Sequence, residues 1–549
     1  MLTQEAIRDN LRFLILEVDK QLHKTQRYFK NPDPKLLEKI HVRDNYVNSL
    51  RNTIQRKCFT LAAEPNVNLD TSVETLWAVN VITANLEHIA DYCVSMIGQY
   101  GHLRDMDLLK EQDFTPAFEH SIAGVRMTES GVMNRDVKVA LKICAEEFEL
   151  DKLYARSFKH LLAKMQEPDN DVPTLVTLLF ISHYFERIGD ALLNIGEAII
   201  SAALGEKMKI DQYQALRGNL SDTHEDAPIA IDQARLLPLS KTRSGNQINR
   251  VLSQRAQEEG TSVIFKEGQA AKLTEEKTNI ERWHKLVPGL APAIHSFYEQ
   301  GDKSSILFEY IPGNTFESVL LRGRASEVRK SLTAICQTVK HVWTITKTDR
   351  PAKGGYCEQL QSRLSDVYSV HPQFRGVDQK INRLTVPSFD SLVDAAAKLE
   401  KKIPAPFSVF IHGDFNVDNI IFDADDGTTR FIDLGRSRRT DYVQDVSVFL
   451  VSNLRLPVVE TEVRKRINVV TTTFFEFATQ TAAEMNDPTF QARLALALAR
   501  SFMTSTRFML DRAIAHWMYQ RARYLLERVL DHDPKDLESF RLPREVIID

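Results

Sequence analysis

Cysteine is scarce in this chain and never closely spaced. Cys58, Cys93, Cys144, Cys336 and Cys357 are scattered without a Cys-x-x-Cys pattern, so they read as reduced thiols of a cytoplasmic protein. Long apolar runs are also missing, and nothing approaches the ~20 residues that a membrane span needs. The start, Met1-Leu2-Thr3-Gln4-Glu5, carries an acid and lacks the apolar stretch of a secretory signal. No block of Lys and Arg occurs, which removes the usual signature of nucleic-acid binding. The net charge of -4 selects no partner by itself. Hydrophobic content of 43% and charged content of 26% are those of a soluble globular protein. At 549 residues the chain exceeds one ordinary core, so two or three domains are expected.

Glycine is rare in residues 1–204, which read as a succession of long helices. Leu76–Ile97 and Val172–Ala203 are apolar at helical spacing, and Asp171-Val172-Pro173 supplies a cap and an early proline. Residues 205–235 are more polar and less periodic, and read as a linker. From 236 to 549 short β-type runs such as Thr261–Lys266 and Ser305–Tyr310 come first, and helices return after Asp445.

The most informative stretch is Ile411-His412-Gly413-Asp414-Phe415-Asn416-Val417-Asp418-Asn419-Ile420, followed by Phe431-Ile432-Asp433-Leu434-Gly435. An Asp, four residues, an Asn, and a second Asp closing an apolar strand suit a kinase-type centre. One carboxylate accepts the proton of the attacking hydroxyl, while the amide and the second carboxylate hold Mg²⁺ against nucleotide phosphates. Ser408–Ile411 and Ile420–Asp423 read as buried strands, Asp425-Asp426-Gly427 as a hairpin turn, and Arg430–Asp433 as the returning strand. The hairpin would bring Asn419 and Asp433 to one end of the site. These residues, with Asp441-Tyr442-Val443-Gln444-Asp445-Val446 after them, resemble the aminoglycoside phosphotransferase and choline kinase family. The resemblance implies a two-lobed α+β kinase-like domain using ATP and Mg²⁺. In it Asp414 is the base, Asn419 and Asp433 are metal ligands, and His412 is a structural hydrogen-bonder.

Ser262-Val263-Ile264-Phe265-Lys266 ends an apolar strand on a Lys, and Glu276 follows on the amphipathic segment Leu273–Leu286. In kinases a strand Lys grips the α- and β-phosphates and is held by a helix Glu. Lys266 and Glu276 are assigned these roles, with Glu275 or Glu281 as alternatives for the acid. The phosphate-covering loop falls on Lys241–Arg250, around Ser244 and Gly245, with one Gly where protein kinases use three. Leu307-Phe308-Glu309-Tyr310-Ile311-Pro312-Gly313 resembles the hinge between lobes, where the backbone of Glu309 and Ile311 would meet the adenine edge.

The helical half repeats itself. Leu86-Glu87-His88-Ile89-Ala90-Asp91 and Phe185-Glu186-Arg187-Ile188-Gly189-Asp190 lie 99 residues apart. His183, Glu186, Asp190, Asn194 and Glu197 form one polar stripe, and Asn80, Glu87, Asp91 and Ser95 do much the same. Glu147 with Asp151, and Asp44 with Asn48, supply further acids at the i, i+4 spacing. Like charges so spaced repel by a few tenths of a kcal/mol, which a bound cation would relieve. This pattern resembles the PhoU family of phosphate-uptake regulators, which implies an all-α bundle of two three-helix repeats carrying metal clusters. Ligands are then expected at Glu147, Asp151, Glu186, Asp190, Asp44, Glu87 and Asp91, with iron, zinc or manganese as the metal. Asn48 stands where that family has a second Asp.

Between Arg455 and Arg528 there are eleven Lys and Arg against seven Asp and Glu, which points away from a polycationic acceptor. The expected function is ATP-dependent phosphorylation of a hydroxyl on a small molecule or protein, regulated by the helical half according to phosphate status. A non-catalytic nucleotide sensor is the alternative. Expected partners are the hydroxyl-bearing substrate, a phosphate transporter or signalling protein, and a second copy of the chain.

Overall fold

The computed structural model describes residues 2–63, 73–221, 234–241, 247–253 and 262–548. It divides into two compact units. The first runs from the N-terminus to Glu267 and takes in Ser296–Gln300 and Ser305–Leu307, and the second holds the remainder.

The first unit opens with α1 (Leu2–Lys30), α2 (Pro34–Ala62) and α3 (Val73–Tyr100), then the short α4 (Met106–Glu111). A second triplet follows: α5 (Thr115–Asn134), α6 (Val137–Lys164) and α7 (Val172–Leu204). Local chemistry sets the ends. Asp33, Asp136 and Asp171 cap α2, α6 and α7 by accepting backbone N–H groups, and Gly205 closes α7 in the left-handed conformation. The triplets meet through α3 against α7 and α1 against α5, the expected pair of three-helix repeats. Phe29, Phe114, Phe118 and Phe185 interlock there, with Phe118 and Phe185 edge-to-face at 4.8 Å. Leu14, Ile54, Leu86, Leu178 and Leu192 are fully buried, each contributing about 1.5–3 kcal/mol relative to exposure. Gly196 lets α6 and α7 touch, since a Cβ there would stand 2.9 Å from Ala140 O and closer still to Cys144 Sγ.

Within the stretch read as a linker, Ile210–Ser221 is a packed helix, α8. Its Ile210 N–H donates to Glu197 Oε1 at 3.1 Å. Asn219, fully buried, donates to Ser305 Oγ at 2.6 Å and accepts from Ser296 Oγ at 2.7 Å. A helix fixed by buried polar contacts carries little apolar periodicity, so composition alone made it resemble a loop.

A five-stranded sheet has the order β1-β2-β3-β5-β4. Its strands are β1 (Ala234–Lys241), β2 (Gln247–Ser253), β3 (Ser262–Gln269), β4 (Ile294–Gln300) and β5 (Lys303–Glu309). Packing thus groups most of this sheet with the helices that precede it, whereas composition sets the break near 205–235.

The second unit is mostly helical around short strands. β6 (Asn314–Thr315), β10 (Ile420–Phe422) and β11 (Thr429–Phe431) form one sheet in the order β11-β10-β6. The exposed hairpin β7 (Gln379–Ile381) and β8 (Leu384–Val386) stands apart, and β9 (Val409–Ile411) pairs with β12 (Arg438–Thr440). Trp343, Tyr442, Phe415 and Phe449 are nearly inaccessible in its core. Arg493 is buried between Asp441 and Asp487, and Tyr442 donates to Asp487 at 2.8 Å. The helical bundle and the α+β kinase-like fold are both as expected.

Candidate functional site

The loop after β9 is built around Gly413. Its φ of +86° suits glycine, and a Cβ there would collide with Arg436 O. Asp445, buried on the helix Val443–Leu454, accepts the His412 N–H at 2.8 Å and the Gly413 N–H at 2.9 Å, one on each carboxylate oxygen. Burial pushes its carboxyl up to about 7, and the two N–H groups oppose that shift. Gln444 donates to Gly413 O at 2.8 Å. His412 donates from Nε2 to Ile432 O at 3.0 Å and accepts the Asp414 N–H on Nδ1 at 3.3 Å. That fixes one neutral tautomer, and burial lowers its pKa to about 4. His412 is a structural hydrogen-bonder here.

Asp414 is partly exposed at the head of this loop. Asn416 Nδ2 donates to its Oδ1 at 2.8 Å, and Arg436 Nη1 lies 3.1 Å from Oδ2. Burial raises its pKa, Arg436 opposes the rise, and Asp433 adds to it. Asn419 donates from Nδ2 to Asp414 O at 2.9 Å, and its own carbonyl accepts the Ile432 N–H at 3.0 Å. The hairpin pairs Ile420 with Phe431 and turns at Gly427, φ +72°. Its returning strand stops at Phe431, because Asp433 adopts φ 59°, ψ 57°. A non-glycine residue in the left-handed region is uncommon and recurs where a side chain is aimed for function. Asp414, Asn419 and Asp433 are therefore tied to one another within two layers of backbone.

The helix Ala270–Leu286 seats on the turn beyond Asp433. Asn279 Nδ2 donates to Leu434 O at 3.1 Å, and Trp283 Nε1 donates to Ser437 Oγ at 2.9 Å. A Cβ on Gly435 would lie 3.7 Å from Glu276 Cβ. Among the three candidate acids Glu276 is buried, while Glu275 and Glu281 are exposed. Asn279 and Trp283 were not singled out in the sequence, although both lie on the buried face marked by Leu273, Glu276 and Ile280.

Lys266 is buried on β3, across from Ile248 of β2. It falls in the first unit and Glu276 in the second. Glu309 ends β5, its N–H given to Ala293 O at 2.8 Å and its side chain accepting from Ala293 N and Arg430 Nη1. Backbone contact of Glu309 with a nucleotide would therefore run through its carbonyl. Ile311 is buried just beyond. Ser244 and Gly245 lie outside the described residues.

In the helical unit the expected acids gather in two places. Asp44 of α2 faces Asp91 of α3, and burial followed by the Asp44 charge raises the Asp91 pKa. Burial likewise raises that of Asp44, with Glu87 adding to the rise. Glu147 of α6 is pushed up to about 7, first by burial and then by Asp151 and Asp190. Asp151 is raised by burial, then by Glu186 and Asp190. The acids are not all unpaired, as the spacing suggested. Arg51 pairs with Glu87, His183 Nδ1 lies 2.7 Å from Glu186, and Arg187 Nη1 lies 3.0 Å from Asp190. Among the described residues no three His, Cys, Asp or Glu side chains stand together as a finished metal site. Yet Asp44 Oδ1, Asn80 Oδ1 and Glu147 Oε2 are buried without a hydrogen-bond partner, and such oxygens suit a hard cation.

Comparison with known proteins divides the chain in the same sense. Residues 12–98 and 117–199 match the family described as PhoU domain. Residues 243–468 match the phosphotransferase enzyme family. Among curated proteins, a phosphate-specific transport system accessory protein PhoU homolog of Clostridium acetobutylicum is 24% identical over 196 residues, 35% of this chain and 89% of its own. The PhoU accessory protein of Escherichia coli is 22% identical over 209 residues, 37% of this chain and 85% of its own. Among solved structures, the PhoU regulatory protein of Streptococcus pneumoniae aligns with TM-score 0.35 at 19% identity, over 38% of this chain and 99% of its own. An aminoglycoside-3'-phosphotransferase of type VIII aligns with TM-score 0.36 at 15% identity, over 55% of this chain and 100% of its own. An ethanolamine kinase of Plasmodium vivax gives 0.33 at 12% identity, over 58% of this chain and 87% of its own. The chain joins an N-terminal PhoU domain to a C-terminal domain of the phosphotransferase enzyme family.

Proposed function

We propose that the protein transfers the γ-phosphoryl group of ATP to an alcohol, under control of its PhoU domain. The observation that carries this reading is the loop in which Asp445 holds the His412–Gly413 backbone, leaving Asp414 at the surface beside Asn419 and Asp433. Asp414 accepts the proton of the acceptor hydroxyl. The freed oxygen bonds to the γ-phosphorus, the bond to the β-phosphate oxygen breaks, and ADP leaves with that electron pair. Burial strengthens Asp414 as a base, whereas its contact with Arg436 weakens it. Asn419 and Asp433 would hold Mg²⁺, which when bound neutralises charge on the nucleotide phosphates. Lys266 is assigned to the phosphates and Glu276 to orienting it, with the Glu309 carbonyl and the Ile311 N–H at the adenine edge. Ser244 and Gly245 would cover the phosphates.

The acid pairs Asp44/Asp91 and Glu147/Asp151, together with Glu87, Glu186 and Asp190, are proposed to take iron, zinc or manganese in the PhoU domain. The domain's family ties it to phosphate transport, so a transporter or signalling protein is its proposed partner.

The decisive test replaces the base. Asp414→Asn keeps the shape of the side chain, so nucleotide affinity should survive while kcat falls by roughly 10²–10⁴. Binding of ATP with no turnover by wild type against any alcohol or protein would favour a nucleotide sensor instead.

A further inference from the structure

Asp414 stands among arginines. Arg436 meets it directly at 3.1 Å. Arg455 donates to Asn416 Oδ1 at 2.9 Å, and its charge also lowers the Asp414 pKa. Arg500 is the least compensated of the group. It donates to Ser447 Oγ at 3.2 Å and lies 5.8 Å over the Tyr356 ring, while its Nε is buried without a hydrogen-bond partner. No carboxylate forms an ion pair with Arg500 among the described residues. Burial lowers its pKa, Tyr356 and Asp414 oppose that shift, and Arg438 and Arg436 add to it. Arg507 shares Asp366 with Arg363, and Arg436 also depresses its pKa. Arg438 is held by a neutral group, Gln444 Oε1, at 2.9 Å.

Guanidinium groups gathered with too few carboxylates need an anion. Their planar forks match carboxylate and phosphate oxygens, and a cationic acceptor would be repelled. Building on the phosphotransferase reading above, we infer that the acceptor is an alcohol that already carries a phosphate or carboxylate group, bound by Arg436 and Arg500 so that its hydroxyl lies beside Asp414. The bound anion competes with Asp414 for Arg436. The transfer is otherwise unchanged: the hydroxyl proton goes to Asp414, the oxygen takes the phosphoryl group, and ADP departs.

The test uses the full chain with ATP and Mg²⁺ against glycerol 3-phosphate, glycerate, glycerol and ethanolamine. Each is also titrated calorimetrically into protein loaded with a non-hydrolysable ATP analogue. At least one anionic alcohol should exceed glycerol and ethanolamine by tenfold or more in kcat/KM or in affinity, and the first two arms separate phosphate from carboxylate. Arg500→Gln should raise the acceptor KM or Kd at least tenfold with the ATP KM unchanged, and Arg500→Lys should restore part of it. Because Arg500 is half-buried, the exposed Arg436→Gln provides a second variant with the same expected loss of acceptor affinity. Preference for glycerol or ethanolamine, no anion binding, or anion binding indifferent to both variants overturns the inference. If the ATP analogue itself fails to bind, the phosphotransferase reading falls instead.

Discussion

Asp445 never needs to touch a substrate to matter. Both of its oxygens accept backbone N–H groups from the residues just before Asp414, so it sets the path of the loop. Its carboxyl sits at about 7 in the fold, against about 3.9 when exposed. Between those values the folded protein holds a proton that the unfolded chain has released. Its contribution to stability therefore falls as pH rises from about 4 to about 7 and levels off above. Asp445→Asn removes that titration and turns an amide N–H towards a backbone N–H, at a cost of about 1–3 kcal/mol. In urea unfolding, the stability gap between wild type and Asp445→Asn should narrow as pH goes from 4 to 7. A gap that stays constant or widens over that range would mean the native carboxylate is ionised throughout. The loop and hairpin that hold Asp414, Asn419 and Asp433 were legible because spacing, flanking strands and turn all agreed there. The left-handed backbone of Asp433 was not, since it answers to the seating of Leu434 and Ser437 under Asn279 and Trp283, contacts made more than 150 residues away in sequence.

Among the elements, the helices of the first 204 residues were readable because long apolar faces, acid caps and few glycines act together. Helix α8 was not, and the reason is chemical. Its anchor is Asn219, whose amide links Ser305 and Ser296 in a buried chain of hydrogen bonds, and hydropathy registers such a residue as polar and therefore loop-like. Asn219→Ala should strand both serine hydroxyls and cost about 1–3 kcal/mol. Denaturant unfolding followed by hydrogen exchange at α8 would show it. Unchanged stability would mean that Ile210, Tyr213 and Leu216 alone seat the helix. The same contacts argue against severing the chain at residue 236 for functional work. That cut would part β4 and β5 from the helix that Asn219 bonds to them. The acidic stripes were half legible: the Arg187–Asp190 pair follows from i, i+3 spacing along one helix, whereas Arg51 of α2 reaches Glu87 of α3 only because those two helix faces meet.

At the scale of the whole molecule, a PhoU domain and a phosphotransferase domain in one chain make a regulatory link testable without any assumption about how they are arranged. Coupling demands that a ligand of one domain bind with different affinity in two states that differ in activity, and the usual size is ~1–3 kcal/mol, or about 5–150-fold. Glu147 and Asp190 are suitable probes. They help crowd the second acid group, where Glu147 Oε2 is buried without a partner, and they stand in a different compact unit from Asp414. In the full chain, added Mn²⁺, Fe²⁺ or Zn²⁺ should shift ATP turnover severalfold, and inorganic phosphate should modulate that shift. A Glu147→Gln/Asp190→Asn double variant should keep its basal turnover and lose the response, because each neutral isostere removes charge that a cation requires while relieving the repulsion it would have offset. By reciprocity, an ATP analogue should alter metal affinity by the same factor in wild type and not in the variant. If wild type and variant respond identically to metal, the effect belongs to the proposed Mg²⁺ ligands of the phosphotransferase domain, and the PhoU domain does not govern it.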